Sequence, residues 1–209
     1  MKLAVVCANG KAGSLITTEA VNRGLDVTAI VRGSNRTKAP HAVIKDITEL
    51  KAEDLKGFDV VIDAFGVFDP DKFYLHSETL KTLCDALSGT DTRLLIVGGA
   101  GSLYINPEHT QQLYKTPDFP EDYRPLATAQ AKELDELRKR NDVKWTFVSP
   151  AADFQPDGER TGKYILAGEE FTVNSKGESV ISYADYAVAM IDEAVKGNHI
   201  QQRISVVKE

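Results

Sequence analysis

Short runs of apolar residues alternate along this chain with longer stretches in which apolar positions recur every three or four residues. The first run, Lys2–Val6, precedes a stretch over residues 12–23 whose apolar side chains share one helical face. Further apolar runs lie at 27–32, 43–46, 58–64, 93–97 and 144–149. Continuous apolar runs of this length are typical of strands buried on both faces of a parallel sheet. The pattern therefore predicts six parallel strands.

Helical patterns fill the intervals between these strands. One runs through Leu75 and Leu87 and closes before Gly89, and another covers residues 125–140. Right-handed crossovers place successive helices on both faces of a parallel sheet. We therefore predict an α/β fold with a doubly wound parallel Rossmann sheet in the order 3-2-1-4-5-6.

The regular alternation of strand and helix patterns ends at Pro150. Short strand-like pieces at 164–166 and 171–173 precede a helix over 183–195 and a last strand at 203–207. Ser182 and Asp185 have the spacing of a capping box, which favours a helix start over a catalytic acid. We predict one domain over residues 1–209, in which 151–182 form a small cap on the substrate side.

Composition narrows the choice of partners and compartment. The 209 residues carry a formal charge of −6 with a pI near 5.3, which disfavours nucleic acid and anionic membranes as partners. No signal-peptide or membrane-length apolar run is present, so a cytoplasmic location is expected. Cys7 and Cys84 do not suggest a disulfide framework, and the four scattered histidines have no metal-ligand spacing. The sequence is also compatible with a homodimer, and it favours a small-molecule acceptor as the main partner.

The first strand runs directly into glycines spaced Gly10-x-x-Gly13. Such glycines let the backbone and a helix N-terminus approach a dinucleotide pyrophosphate. Lys11 and Ala12 complete the predicted cofactor loop, with a positive charge beside the phosphates. Cys7 stands where the usual fingerprint has its first glycine. A plain glycine turn is the alternative.

The end of the second strand indicates which dinucleotide is bound. NAD-selective proteins place a carboxylate there, on the ribose 2′-hydroxyl. This chain has Arg32, followed by Ser34 and Arg36, which are suited to a 2′-phosphate. We therefore favour NADP(H) over NAD(H), against the alternative of a solvated arginine loop. Asp46 and Ile47 after the third strand are predicted to border the adenine, or to cap a helical turn.

The remaining strand ends complete the predicted cofactor site. Ala64, Phe65 and Gly66 follow the fourth strand, where a small-residue turn lets the backbone run beside the ribose. The other predicted contacts are the two glycines after the fifth strand and two residues at the end of the sixth, which would wall the nicotinamide pocket: Gly98, Gly99, Ser149 and Pro150.

Ser102 and Tyr104 are the hydroxyl groups nearest to the predicted nicotinamide position. Either could orient a substrate carbonyl or donate a proton, or could be a structural loop residue. Ordinary short-chain dehydrogenases use a Tyr-x-x-x-Lys pair on the next helix. This chain has Thr128 and Lys132 at that spacing, and a threonine does not replace an acidic phenol.

Several segments taken together resemble the NADH-flavin reductase-like family of atypical short-chain dehydrogenase-like proteins, related to biliverdin reductase B. The resemblance covers nearly the whole chain. It is carried by Gly10-Lys-Ala-Gly13, Leu95-Ile-Val-Gly-Gly-Ala-Gly-Ser-Leu-Tyr104, Trp145-Thr-Phe-Val-Ser-Pro-Ala-Ala152, Gly158-Glu-Arg-Thr-Gly-Lys-Tyr164 and Ile181-Ser-Tyr-Ala-Asp-Tyr-Ala187, and by Val31-Arg32 and Asp59-Val-Val-Ile-Asp-Ala-Phe-Gly66.

The resemblance implies an NAD(P)(H)-binding Rossmann domain that reduces a flavin or similar conjugated acceptor by hydride transfer. Flavin would then be a substrate rather than a tightly bound prosthetic group. A non-catalytic NADP(H) sensor is the alternative. An epimerase or dehydratase acting on a nucleotide sugar is disfavoured because little chain follows Pro150 to build a sugar domain.

Overall fold

The computed structural model describes residues 1–209 and is built around one eight-stranded sheet. The apolar runs form its strands, since β-branched and other apolar side chains pack well on both faces of a pleated surface. The ten strands of the protein are β1 (Lys2–Val6), β2 (Asp26–Val31), β3 (His41–Ile44), β4 (Val60–Asp63), β5 (Arg93–Val97), β6 (Lys144–Ser149), β7 (Asp153–Gln155), β8 (Ile165–Ala167), β9 (Val180–Ser182) and β10 (Gln202–Val207).

Five α-helices connect these strands. They are α1 (Lys11–Asn22), α2 (Ala52–Leu55), α3 (Leu75–Leu87), α4 (Arg124–Leu137) and α5 (Tyr183–Lys196). Helix α5 starts as predicted, because the Ser182 hydroxyl accepts a hydrogen bond from the Asp185 N–H at 2.9 Å. It ends at Gly197, which has a left-handed φ of 68°. No helix combines the length and the apolar composition needed to cross a bilayer.

The sheet confirms the predicted topology. Its strand order is β3-β2-β1-β4-β5-β6-β10-β8, so the predicted order 3-2-1-4-5-6 is present and two further strands extend it. All neighbours pair in parallel except β8, which runs antiparallel to β10. Strands β7 and β9 form a separate two-stranded sheet. The segment 151–182 therefore supplies one strand to the main sheet and two to this small sheet.

Two apolar cores cover the faces of the sheet. Alternate residues of β1 show the division, because Leu3 and Val5 belong to one core and Ala4 and Val6 to the other. Helices α1 and α5 pack together over the first face, while α3 packs against α2 and α4 over the second. This double layer fixes the carboxyl ends of β1 to β4 at one common edge.

Three details differ from the expectations. The strand predicted at 171–173 is absent, since Phe171 pairs only with Tyr104 through one backbone hydrogen bond. Strands β7 and β9 were not predicted. Helix α4 ends at Leu137, so the arginines at 138 and 140 lie beyond its last turn and form ion pairs with neighbouring segments.

Candidate functional site

A crevice of about 790 Å³ lies at the carboxyl ends of β1, β2, β3 and β4. This edge, where the strand order reverses between β1 and β4, is where ligands bind in open α/β sheets. Nine of the residues predicted to bind a cofactor line it: Gly10, Arg32, Ser34, Arg36, Asp46, Ile47, Ala64, Phe65 and Gly66. The lining residues without a predicted role include Cys7, Asn9, Lys45, Val67, Lys72, Leu75 and Thr79.

The glycine loop brings helix α1 close to strand β1. A Cβ at Gly13 would lie 2.6 Å from the Cys7 carbonyl oxygen, a distance that real Cβ atoms do not reach. Gly10 is the N-cap of α1, and no side chain occupies the free N–H groups of its first turn. These donors and the helix dipole favour an anion at this point. Lys11, Ala12 and Gly13 form the first turn but do not line the crevice.

The crevice is positively charged although the whole chain is acidic. Arg32, Arg36, Lys45 and Lys72 line it, against the single carboxylate of Asp46. The ammonium groups of two lining lysines are already paired. Lys45 lies 2.7 Å from the Asp54 carboxylate, and Lys72 lies 2.8 Å from the Asp69 carboxylate. Arg32 and Arg36 are the cations left for a ligand. The Arg32 guanidinium is largely exposed and approaches one carboxylate, that of Asp46, no closer than 4.0 Å. An anionic ligand therefore suits this crevice.

Asn9 connects the two loops that carry these groups. Its side-chain N–H₂ donates to the Ser34 carbonyl at 2.9 Å, and its side-chain oxygen accepts from the Arg36 N–H at 2.9 Å. One amide thus holds the β2–β3 loop against the glycine loop. The sequence does not predict this role of Asn9, because its hydrogen-bond partners lie more than twenty residues away along the chain.

Cys7 occupies the first position of the glycine fingerprint in a left-handed conformation. Its φ is 58°, a region that favours glycine. The side chain lines the crevice and also packs against the apolar core of the α3 and α4 face. Burial raises the pKa of the Cys7 thiol to about 12, and the nearby Asp63 carboxylate acts in the same direction. Cys7 is therefore a neutral thiol at physiological pH.

Asp46 both caps a helical turn and borders the crevice. Its carboxylate accepts hydrogen bonds from the N–H and the hydroxyl of Thr48, at 2.9 Å and 2.7 Å. These bonds lower the pKa of Asp46. The cap that the sequence left as an alternative is confirmed, and the contact with adenine stays a prediction.

The glycine cluster after β5 serves close packing. A Cβ on Gly98 would lie 2.1 Å from the ring of Phe147, and one on Gly99 would lie 2.1 Å from the side chain of Gln130. Gly98 and Gly99 are buried and do not line the crevice. The same holds for Ser149 and Pro150, which are also buried. Contact of these four residues with a nicotinamide stays a prediction.

Ser102 and Tyr104 belong to a cluster around Arg203 rather than to the crevice. The Ser102 hydroxyl is buried and accepts a hydrogen bond from Arg203 at 3.0 Å. The Tyr104 ring stacks on His109 with centroids 4.6 Å apart, and Arg203 also donates to Glu169 at 2.9 Å. These contacts place both side chains outside the crevice. A catalytic role for Ser102 and Tyr104 stays a prediction, as does the alternative of a structural loop.

The Gly158-Glu-Arg-Thr-Gly162 segment is held by two buried carboxylates. Asp185 accepts from the N–H groups of Thr161 and Gly162 at 2.8 Å and 2.7 Å, and from the Thr161 hydroxyl at 2.7 Å. Glu19 accepts from Arg160 at 2.9 Å, and this bond lowers the pKa of Glu19. Asp185 therefore positions this loop and is not a free acid.

A family model described as NAD(P)H-binding matches residues 7–194 of the chain. A crystal structure of a putative NADH-flavin reductase from Streptococcus pneumoniae TIGR4 is 58% identical, superimposes with a TM-score of 0.98, and covers 100% of both chains.

Two further relatives align over nearly their whole length. The uncharacterized protein YwnB of Bacillus subtilis (strain 168) is 45% identical over 212 residues, which cover 100% of this chain and 99% of YwnB. A putative epimerase from Bacteroides thetaiotaomicron is 36% identical with a TM-score of 0.85, over 99% of this chain and 96% of the epimerase. The names of these relatives thus differ while the fold is shared.

Proposed function

The chain belongs to the NAD(P)H-binding family, and on that premise we propose that it is an NAD(P)H-dependent oxidoreductase that prefers NADPH and reduces a flavin or similar conjugated small molecule. The observation that carries this proposal is the cationic crevice at the switch point of the sheet, which combines the glycine loop with Arg32 and Arg36. The name of the Streptococcus pneumoniae relative supports the reductase assignment.

The residues of the crevice fit a dinucleotide. The free N–H groups in the first turn of α1, which begins after Gly10, suit a pyrophosphate. Gly13 lets this helix lie close to β1. Arg32, Ser34 and Arg36 would hold a 2′-phosphate, because planar guanidinium groups bind phosphate oxygens in pairs. Asn9 keeps these side chains in register with the glycine loop.

Hydride chemistry is supplied by the nicotinamide when the cofactor is bound. The residues of the protein then have to bind the cofactor, orient it toward the acceptor and shield both from water. Ala64, Phe65, Val67 and Leu75 give the crevice one apolar side. Neither Cys7 nor Asp46 is suited to proton donation at neutral pH, because the Cys7 pKa is raised and the Asp46 pKa is lowered. An acceptor that takes its proton from solvent, as a flavin does, fits this arrangement.

The experiment that tests the proposal is NADPH oxidation with FMN, FAD, riboflavin and quinones as acceptors. We expect steady turnover with at least one flavin, and faster turnover with NADPH than with NADH. Turnover at the background rate with every acceptor would contradict the reductase assignment.

A second candidate is a non-catalytic NADP(H) sensor, which is favoured by the position of the candidate catalytic residues Ser102 and Tyr104 outside the crevice. A sensor would bind NADPH without hydride transfer and would change its association with another protein when the cofactor binds. Pull-downs with and without NADPH separate the two candidates, since a reductase needs no cofactor-dependent partner.

A further inference from the structure

Three titratable side chains are buried together behind the turn that follows β4, and the proposed function uses none of them. Asp63 ends β4, His76 lies in the first turn of α3, and Glu133 lies on α4. Their exposed fractions are only 2%, 3% and 3%. We call these residues the Asp63–His76–Glu133 cluster. A buried carboxyl group is stable only when it is paired with an opposite charge, hydrogen-bonded or protonated.

Hydrogen bonding inside the cluster is incomplete. The His76 Nδ1 and the nearest Glu133 oxygen are 3.6 Å apart, beyond hydrogen-bond length. The His76 Nε2 and that same Glu133 oxygen, Oε2, have no hydrogen-bond partner in the protein. Such atoms are uncommon in folded proteins. The cluster therefore holds groups whose protonation state is not fixed by surrounding donors.

The cluster touches the crevice through the β4 turn and helix α3. Asp63 accepts a hydrogen bond from the Phe65 N–H at 2.9 Å. The rings of Phe65 and His76 meet edge to face, with centroids 5.4 Å apart at 76°. Leu75 and Thr79, which flank His76 on α3, line the crevice as Phe65 does. The cluster thus forms the inner side of the crevice wall.

The charges of the cluster do not balance. Two carboxyl groups face one imidazole. The other titratable groups that act on the cluster are Cys7 after β1, Cys84 on α3 and Glu136 on α4, and none of them is basic. Burial raises the pKa of Asp63 to about 6 and that of Glu133 to about 7. Burial lowers the pKa of His76, but the Glu133 carboxyl, the Val67 backbone and the Asp63 carboxyl together more than offset this, and the His76 pKa lies above its ordinary value.

We propose that Asp63, His76 and Glu133 couple dinucleotide binding in the crevice to the net uptake of up to one proton from solvent. This inference rests on the proposed function, because it requires a dinucleotide in the crevice. An anionic pyrophosphate beside the wall makes an ionised carboxylate behind it less favourable. By linkage, binding then draws a proton into the cluster, and affinity rises as pH falls through the range in which the cluster titrates.

Isothermal titration calorimetry with NAD⁺ tests this coupling, because NAD⁺ has no 2′-phosphate to titrate in the same range. We expect the affinity of the wild-type protein to rise roughly tenfold between about pH 8 and pH 5.5, the equivalent of one unit of pKa shift. Repeating the titration at pH 7 in two buffers of different ionisation enthalpy measures the protons taken up. We expect net uptake of a fraction of a proton per site.

The double variant D63N/E133Q removes both negative charges and keeps an oxygen to accept from the Phe65 N–H. We expect it to bind NAD⁺ with nearly the same affinity at both pH values and without proton uptake. The control variant E170Q removes a carboxylate from the exposed His109–Glu170 pair, 3.3 Å apart, and should behave as wild type.

Two outcomes would overturn the inference: no proton uptake by the wild-type protein, or a pH dependence that D63N/E133Q retains. Proton uptake is measured on the wild-type protein, so this result tests the coupling even if the double variant does not fold. Failure to bind NAD⁺ or NADP⁺ at any pH would instead contradict the proposed function itself.

Discussion

Arg32 lies one residue beyond β2, and 82% of its side chain is exposed at the mouth of the crevice. We predict that Arg32→Ala weakens NADPH binding about tenfold or more, because a charged hydrogen bond to a phosphate contributes roughly 1.5–3 kcal/mol. NADH binding should change less than about twofold, since NADH lacks the phosphate. Fluorescence titration with both cofactors measures this ratio.

Lys38→Ala is the matched control, because Lys38 lies in the same loop but does not line the crevice. It should leave both affinities unchanged. An equal loss of NADPH and NADH binding in Arg32→Ala would show that Arg32 does not select the 2′-phosphate.

Cys7 supports a second prediction at the residue scale. Cys7→Gly removes the side chain from the crevice and lets the backbone approach the phosphates, so dinucleotide affinity should rise at least about threefold, roughly 0.7 kcal/mol. Relief of the strained φ of 58° and the greater chain entropy of glycine offset each other. The free energy of unfolding should therefore change by less than about 1 kcal/mol.

Cys7→Ala separates the two effects of the cysteine. It removes the sulfur but keeps a Cβ in the same left-handed conformation. We expect it to bind dinucleotide more weakly than Cys7→Gly. If the two variants bind equally well, the Cβ at this position does not limit the approach of the cofactor.

The sequence predicted those crevice residues that come shortly after the ends of strands. Arg32, Asp46 and Phe65 were found because parallel strands end at one edge, so position along the chain is enough to place them. It did not predict the pairing of His76 with Glu133 across α3 and α4, which depends on how two helices pack. For Ser102, it could not show that the side chain turns toward Arg203.

At the scale of elements, helix α1 depends on a close approach to β1. Gly13→Ala would place a methyl group 2.6 Å from a backbone oxygen that has little freedom to move. Overpacking of this kind costs about 1–3 kcal/mol. We predict a loss of this size in the free energy of unfolding, measured by urea denaturation, together with weaker cofactor binding.

Gly33→Ala is the control for this prediction. Gly33 also lies at the crevice, but a Cβ there meets no atom within 4 Å. Its free energy of unfolding should stay within about 0.5 kcal/mol of wild type. Equal stability of the two variants would contradict the packing role of Gly13.

Elements with their own apolar pattern were predicted well, and those formed by distant pairing were not. Strand β5 and helix α3 match the expected bounds because each carries a complete apolar signature. Strand β7 has one apolar residue in three and exists because β9 pairs with it. The stretch at 171–173 has strand-forming residues but lacks a neighbouring strand, so it forms no ladder.

At the scale of the whole molecule, the buried acids make stability depend on pH. The pKa values of Asp63 and Glu133 are raised to about 6 and about 7 in the folded state, so the native protein binds more protons than the unfolded chain between about pH 4 and 7. Their stabilising contribution is complete at low pH and is lost as pH rises through 6 to 7.

We therefore predict that Glu133→Gln gains stability relative to wild type as pH rises from about 4.5 to 8, by on the order of 2 kcal/mol. Urea denaturation of both proteins across this range measures the difference. A difference that is constant with pH would show that Glu133 does not titrate with a raised pKa. The same comparison at Glu170, which is exposed, should show no trend.

The overall topology followed from the alternation of strands and helices, because right-handed crossovers leave few ways to order a parallel sheet. The two extra strands could not be ordered in advance, since the antiparallel pairing of β8 with β10 is not governed by that rule. The net charge of the chain also does not predict a positively charged crevice. The chain carries −6 overall, yet the crevice gathers four basic side chains and one acidic one.

A crystal structure of the protein with NADP⁺ tests the proposed cofactor site most directly. We predict that the pyrophosphate lies against the glycine loop, at the N-terminus of α1, and that the 2′-phosphate lies within hydrogen-bond distance of Arg32 or Arg36. A dinucleotide bound outside the crevice, or inside it with its 2′-phosphate turned away from both arginines, would contradict this assignment.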